Sequence, residues 1–353
     1  MNQNQSLPVS SRRSFLKSTC AVCGVTAAAS TGLTPSLFAQ DKNQKWARQI
    51  GLELYTVRDL MDKDFEGILA KVAEIGYTEV EPANGYNNMS PTDFRKMLDK
   101  YGLTAPSTHS GPMIGPGLEK ELEGLQIMGI KYTWSPRQAR ISTAPQTPAA
   151  LTGAYLHGRN SWTQAEAFGP EQKVVNLEEA KRRAADLNKY GTIAKKFGIK
   201  MLVHNHTAEF EKLTDNDLSE YDVYLAECDP ELVAMQLDIG WAIISGQDVI
   251  GMFKKHPGRF ELWHIKDVFG IKHLDMKMDA YDRTNTVTFE PYGAGQIDYK
   301  PFFDQAELAG LKHFCVEQDD AAVWGDSLAA ARVSFKNLRT MLTTGSLPDA
   351  LYR

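Results

Sequence analysis

A closed barrel of eight strand–helix units, the (β/α)8 or TIM-barrel class of α/β folds, is what this sequence predicts, on three observations. Five helix-period stretches end in glycine and run straight into a short apolar segment: Ile75-Gly76-Tyr77, Tyr101-Gly102-Leu103, Met128-Gly129-Ile130, Phe197-Gly198-Ile199 and Ala309-Gly310-Leu311. Glycine just past a helix end permits the left-handed cap that a tight turn into a strand requires. Met201-Leu202-Val203, Val233-Ala234-Met235-Gln236-Leu237 and His313-Phe314-Cys315-Val316 are nearly continuously apolar, as strands covered on both faces are. No glycine-rich phosphate loop follows the first strand, which argues against an open doubly wound sheet.

Strands are expected over 50–56, 78–82, 104–109, 131–134, 200–204, 233–238, 260–265 and 313–317. Helices are expected over 63–75, 91–101, 176–197, 249–255, 299–309 and 327–342. Asn176 with Glu179 three residues on is a capping-box-like start for the longest helix. Long loops follow the fourth and seventh strands: a Thr/Ala/Gly/Pro-rich insertion over 135–174 and another over 267–296. Loops of that length in a compact domain commonly cover a site.

The chain has 353 residues, and 42% hydrophobic with 24% charged content excludes collagen, coiled coil and wholesale disorder. Residues 1–39 form a predicted signal peptide and 40–353 a single barrel domain. Ser11-Arg12-Arg13-Ser14-Phe15-Leu16-Lys17 precedes an apolar, Ala-rich run ending at Phe38-Ala39, the pattern of a twin-arginine signal, which places the folded protein in the periplasm or outside the cell. Cys20 and Cys23 fall inside that segment; Cys228 and Cys315 lie in apolar surroundings and are expected as buried thiols. No later run is long enough to span a bilayer, so no stable membrane insertion is expected after signal removal. Formal charge is −5, and without the signal's three cations the remainder carries −8. Such a chain, with no basic block, does not suit nucleic acid.

Catalytic side chains of barrels stand at the C-terminal ends of strands. Those ends carry Tyr55, Glu81, His109, Trp134, His204 with His206, Asp238, His264 with Lys266, and Glu317. The last four strands bring two imidazoles and two carboxylates, His204, Asp238, His264 and Glu317, toward one place. Carboxylates so close repel unless a cation lies between them, and mixed N/O ligation suits a divalent metal (Mn, Zn, Fe, Co or Mg). The alternative is a hydrogen-bonded polar plug without metal.

Gly51-Leu52-Glu53-Leu54-Tyr55-Thr56-Val57-Arg58-Asp59, Val203-His204-Asn205-His206-Thr207-Ala208-Glu209-Phe210, Leu237-Asp238-Ile239-Gly240-Trp241, Trp263-His264-Ile265-Lys266-Asp267, Gly293-Ala294-Gly295-Gln296-Ile297-Asp298-Tyr299 and Val316-Glu317-Gln318-Asp319 together resemble the sugar phosphate isomerase/epimerase group of xylose-isomerase-like TIM barrels. The resemblance covers about 48–343, except 135–174. It implies a metal held by a Glu on strand five, an Asp on six, a His on seven and a Glu on eight. Asp238, His264 and Glu317 match the last three. His204 stands where the first Glu belongs, and His206 or Glu209 are the other candidates for that place. The group's epimerases use two metal-bound glutamates as bases on opposite faces of the substrate, and here only Glu317 survives.

A metal chelating a carbonyl and its neighbouring hydroxyl acidifies the C–H between them, and a carboxylate or imidazole then moves the proton. Glu317, Lys266, His206 and Glu209 are the candidate catalytic residues, and Tyr55, Glu81, His109 and Trp134 the candidate sugar contacts. Isomerisation or epimerisation of a non-phosphorylated sugar or keto-sugar is the first expectation. Keto-sugar dehydration or 3-keto-glycoside cleavage by β-elimination is the second, and a non-catalytic carbohydrate-binding barrel the third. An endonuclease-like activity is opposed by the charge. The expected partner is a small sugar or glycoside; a homo-oligomer stays open.

Overall fold

The computed structural model describes residues 43–83, 85–112, 115–134 and 174–347. Eight parallel strands form a nearly closed barrel: β1 (Gly51–Glu53), β2 (Glu79–Glu81), β3 (Ser107–Thr108), β4 (Tyr132–Trp134), β5 (Lys200–His204), β6 (Val233–Asp238), β7 (Leu262–Ile265) and β10 (His313–Val316). The order runs β2-β1-β10-β7-β6-β5-β4-β3. Between the ends of that order, Glu79 bridges to Thr104 and the His109 amide donates to Pro82 O at 2.8 Å. The described residues all fall within one compact unit. The signal peptide expected over 1–39 and most of the 135–174 insertion lie outside the described residues.

All five glycines at the helix–strand joints have positive φ, from 67° at Gly102 to 118° at Gly76. The helices end where a residue with a Cβ would be strained. Asp64, Ser90, Asn176, Ser219, Asp248 and Asp326 cap helix N-termini with their side chains.

Side chains along each strand alternate between two environments. Val233, Met235 and Leu237 of β6, Met201 and Val203 of β5, and Trp263 and Ile265 of β7 join the large core under the helices. Their neighbours Leu202, Ala234 and Leu262, with Tyr132, form a separate small cluster inside the barrel. This inner layer floors the site. Below it, at the N-terminal end, Glu261 accepts from Tyr132 Oη at 2.9 Å, Lys200 Nζ at 2.6 Å and Lys312 Nζ at 2.7 Å.

Several element boundaries differ from the expectations. The first strand stops at Glu53, because Leu54–Val57 turns into a 3-10 helix with Arg58 Nη1 donating to Tyr55 O at 2.8 Å. Strand three shrinks to Ser107–Thr108, and the helix expected over 299–309 divides into Lys300–Phe303 and Ala306–Ala309. The 267–296 insertion contains an antiparallel hairpin, β8 (Asp267–Phe269) with β9 (Thr288–Glu290). Asp267 anchors it by accepting backbone N–H groups from Gly293 at 2.8 Å, Gly295 at 3.1 Å and Ile297 at 3.0 Å. Helices Leu118–Met128, Glu220–Glu227 and Ile239–Ile244 complete the ring among the described residues.

Candidate functional site

Parallel register brings the strand ends level. Asp238 pairs with His264, His204 with Gln236, and Glu53 with Glu81. Since a residue two positions along points the same way, Gln236 and Asp238 both enter the barrel mouth. His204, Asp238, His264 and Glu317 each offer a donor atom, and those atoms all lie within 4.8 Å of one another. His204 Nε2 is 3.1 Å from His264 Nδ1, which is 2.7 Å from Glu317 Oε2. Asp238 Oδ2 is 3.7 Å from His204 Nε2 and 3.8 Å from His264 Nδ1, and it is buried with the Lys266 ammonium 3.1 Å away.

These separations fit a cation. Bonds of about 2.1 Å hold adjacent donors about 3.0–3.5 Å apart. Imidazole with carboxylate is a donor set for Zn, Mn or Fe. His204 suits that task electrically, since burial and then the neighbouring His264, His109 and His206 hold its pKa well below the ordinary value and keep the ring neutral. Asp238 is fixed from two sides: its Oδ1 accepts from Trp241 N at 2.9 Å, and Asn205 clasps its backbone N–H and C=O at 3.0 and 3.1 Å.

Lys266 is 1% exposed, and its Nζ stands 3.1 Å from Asp238 Oδ2, 3.0 Å from Glu317 Oε2 and 2.6 Å from Asp319 Oδ2. Burial opposes its charge, but the three carboxylates outweigh burial and raise its pKa well above the usual value. Burial likewise acts to raise Glu317, yet Lys266 and His264 hold it well below the carboxylate range. The Gly240 Cα faces Lys266 so closely that a Cβ there would meet Lys266 O at 2.7 Å. Glycine at 240 lets the helix Ile239–Ile244 lie over this lysine.

Beside this group lies a second layer. Glu81 Oε1 is 3.0 Å from both His264 Nε2 and His109 Nε2, and Glu81 Oε2 accepts from Gln236 Nε2 at 2.8 Å and from Ser107 Oγ. His109 Nδ1 is 3.0 Å from Glu53 Oε1. Burial acts to lower His264, but Glu53, Glu317 and Glu81 override it and bring its pKa up to about 10. A carboxylate behind a ligating imidazole sets its tautomer and orientation. Glu81→Gln is therefore expected to weaken divalent-metal affinity about 10- to 100-fold, read by competition titration with a chelating dye. An unchanged affinity would show that the His264 ring is held by packing alone.

The structure redistributes the residues singled out from sequence. Glu81 is fully buried, with its oxygens engaged by His264, His109, Gln236 and Ser107. His109 has both ring nitrogens beside Glu53, Glu81 and Gln236 and lies in tilted contact with Trp134 (ring centroids 5.0 Å). Tyr55 sits beyond the strand with Arg58 stacked on its ring at 3.8 Å. Glu209 does not join the four donors: its Oε2 accepts from His206 N at 2.8 Å, closing the loop after β5. His206 packs its ring on His204 at 4.8 Å and Trp241 at 5.8 Å, also outside the four. Lys266 pairs with Glu317 but not with Asp267, whose carboxylate is turned to the hairpin loop. Glu53, Gln236 and Asp319 also line the site, and alternation along β1 and β6 is the sequence signal that marks the first two.

The chain belongs to the xylose isomerase-like TIM-barrel family, whose profile matches residues 69–340. Inosose dehydratase of Clostridium perfringens is 32% identical over 154 residues, 42% of this chain and 50% of that protein. The chain thus spans about half the length of the first curated relatives it matches. Inosose dehydratase of Clostridium tetani is 31% identical over 246 residues, 69% of this chain and 78% of that protein. Among solved structures, a sugar phosphate isomerase/epimerase from Parabacteroides distasonis superposes with TM-score 0.59 at 19% identity, covering 84% of this chain and 94% of the other. The IolI protein with a bound zinc atom gives 0.55 at 14% identity, covering 84% and 98%. At those identities the structural likeness speaks to fold.

Proposed function

We propose that this protein is a divalent-metal-dependent lyase that expels a β-oxygen from a non-phosphorylated keto-sugar or keto-polyol. One observation carries the reading: the four clustered donors include a single glutamate, Glu317, because β5 presents the imidazole of His204. Epimerisation by paired metal-bound glutamates needs a second one. The likeness to inosose dehydratases supports the same choice over isomerisation.

His204, Asp238, His264 and Glu317 would hold the cation. When bound, it supplies Lewis acidity that polarises a carbonyl and acidifies the C–H beside it. Glu317 takes that proton. Lys266, 3.0 Å away, keeps the carboxylate ionised until it does. Trp134 beside His109 and His204 offers an aromatic face for the C–H surface of a ring. The described residues of the mouth carry no arginine pair for a phosphate, and the twin-arginine signal read from sequence would deliver the protein to a compartment of free sugars and glycosides.

The test is incubation of the metal-loaded protein with keto-inositols, free ketoses and 3-keto-glycosides in D2O, followed by NMR. The expected result is deuterium at the carbon beside the carbonyl together with a dehydrated product or released aglycone. An epimer formed without loss of a β-substituent would replace the lyase by an epimerase. The same spectra with and without chelator would end the metal-dependent reading.

A further inference from the structure

We infer that Glu53, at the end of β1, is a second substrate-facing carboxyl group and the acid that protonates the departing oxygen. The inference rests on the lyase reading above. Glu53 is 2% exposed, and its two oxygens have different surroundings. Oε1 is held by His109 Nδ1 at 3.0 Å. Oε2 is buried without a hydrogen bond, 3.5 Å from His264 Nδ1, the same nitrogen that Glu317 Oε2 approaches at 2.7 Å. A buried carboxyl oxygen left without a donor costs free energy unless something completes it. Glu53 is not among the four donors His204, Asp238, His264 and Glu317; it groups with Glu81 and His109 beside them, and its free oxygen is assigned to substrate.

His109 acts as the positioning residue. It is clamped between Glu53 Oε1 on one nitrogen and Glu81 Oε1, at 3.0 Å, on the other. Glu81 is itself fixed by Gln236 and Ser107. Glu53 is thereby pinned by a buried chain running across β1, β2, β3 and β6.

In the reaction, the C–H bond beside the carbonyl breaks and its proton passes to Glu317. The electron pair first delocalises into the carbonyl as an enolate, which can return to the ketone by taking a deuteron. In a second step the pair re-forms the carbonyl and becomes a C=C bond as the β C–O bond breaks. The leaving oxygen takes a proton from Glu53 and departs as water. One proton is accepted and one donated, and solvent exchange resets both carboxyl groups between turnovers.

The test compares wild type with Glu53→Gln and Glu53→Asp on a keto-inositol in D2O, following deuterium incorporation and dehydration separately, with metal affinity measured by dye competition. Glu53→Gln is expected to bind metal within about threefold of wild type and to retain deuterium exchange. Its dehydration kcat should fall at least about 100-fold with little change in KM. Glu53→Asp keeps the acid one methylene short and should fall between the two; it carries the test if the amide variant does not fold. Loss of metal would make Glu53 a ligand and overturn the inference, as would dehydration at the wild-type rate or equal loss of exchange and dehydration. A wild type that neither exchanges nor dehydrates overturns the lyase reading and this acid with it.

Discussion

Replacing Glu317 by Gln should lower turnover about 10³-fold while leaving the fold in place. The substitution keeps the side chain's volume, so packing against its neighbours is conserved. It removes the charge from the most constrained position of the site: Oε2 lies 2.7 Å from His264 Nδ1 and 3.0 Å from Lys266 Nζ, and the residue is 6% exposed. An amide accepts no proton from carbon and is a poor ligand for a divalent cation. Its NH2 group, turned toward Lys266, would face another donor. Both kcat and metal affinity should fall, whereas thermal unfolding followed by circular dichroism should shift by only a few degrees, since Asp238 and Asp319 still neutralise Lys266. Full turnover in this variant would remove Glu317 as the base and with it the proposed chemistry.

Lys266→Met is expected to destabilise the protein by about 3–5 kcal/mol, the range found when one member of a buried ion pair is removed. Methionine fills comparable space against Trp241 and Phe289, the rings over which Nζ sits at 4.9 and 5.6 Å, so a cavity is not the cause. The cause is charge. Asp238, Glu317 and Asp319 would face one another without the ammonium that stands 2.6–3.1 Å from each. A divalent cation restores positive charge at two of the three, so the loss measured by denaturant unfolding should shrink when metal is added. A penalty below about 1 kcal/mol in the metal-free protein would show that the three carboxylates are already screened, as exposed pairs are.

How far the site can be read from the chain follows from strand periodicity. His204, Asp238 and His264 stand out because each interrupts an apolar run at its C-terminal end. Glu53 and Gln236 carry the same information less visibly: each occupies an inward position of an alternating strand, with Leu52 on one side and Met235 and Leu237 on the other facing the helices. Glu53 does not stand out in the sequence because a strand running to residue 56 puts its mouth end at Tyr55; the 3-10 turn at Leu54–Val57 places that end at Glu53. Asp319 follows β10 in a loop, where no period applies, and only the approach of Lys266 Nζ gives it a role.

Local chemistry along the chain is enough to specify eight strands, their glycine-capped joints and the family, because helix termini, turns and apolar runs depend on near neighbours. It also names the side chains at the barrel mouth. Which of them meet is a long-range matter: His264 lies between Glu81 and Glu317, 183 and 53 residues away along the chain. Closure of the sheet and its register set that pairing, and burial then decides the charge each group carries. For that reason Glu81 and His109 stand behind the cluster, and an orphaned oxygen on Glu53 faces it.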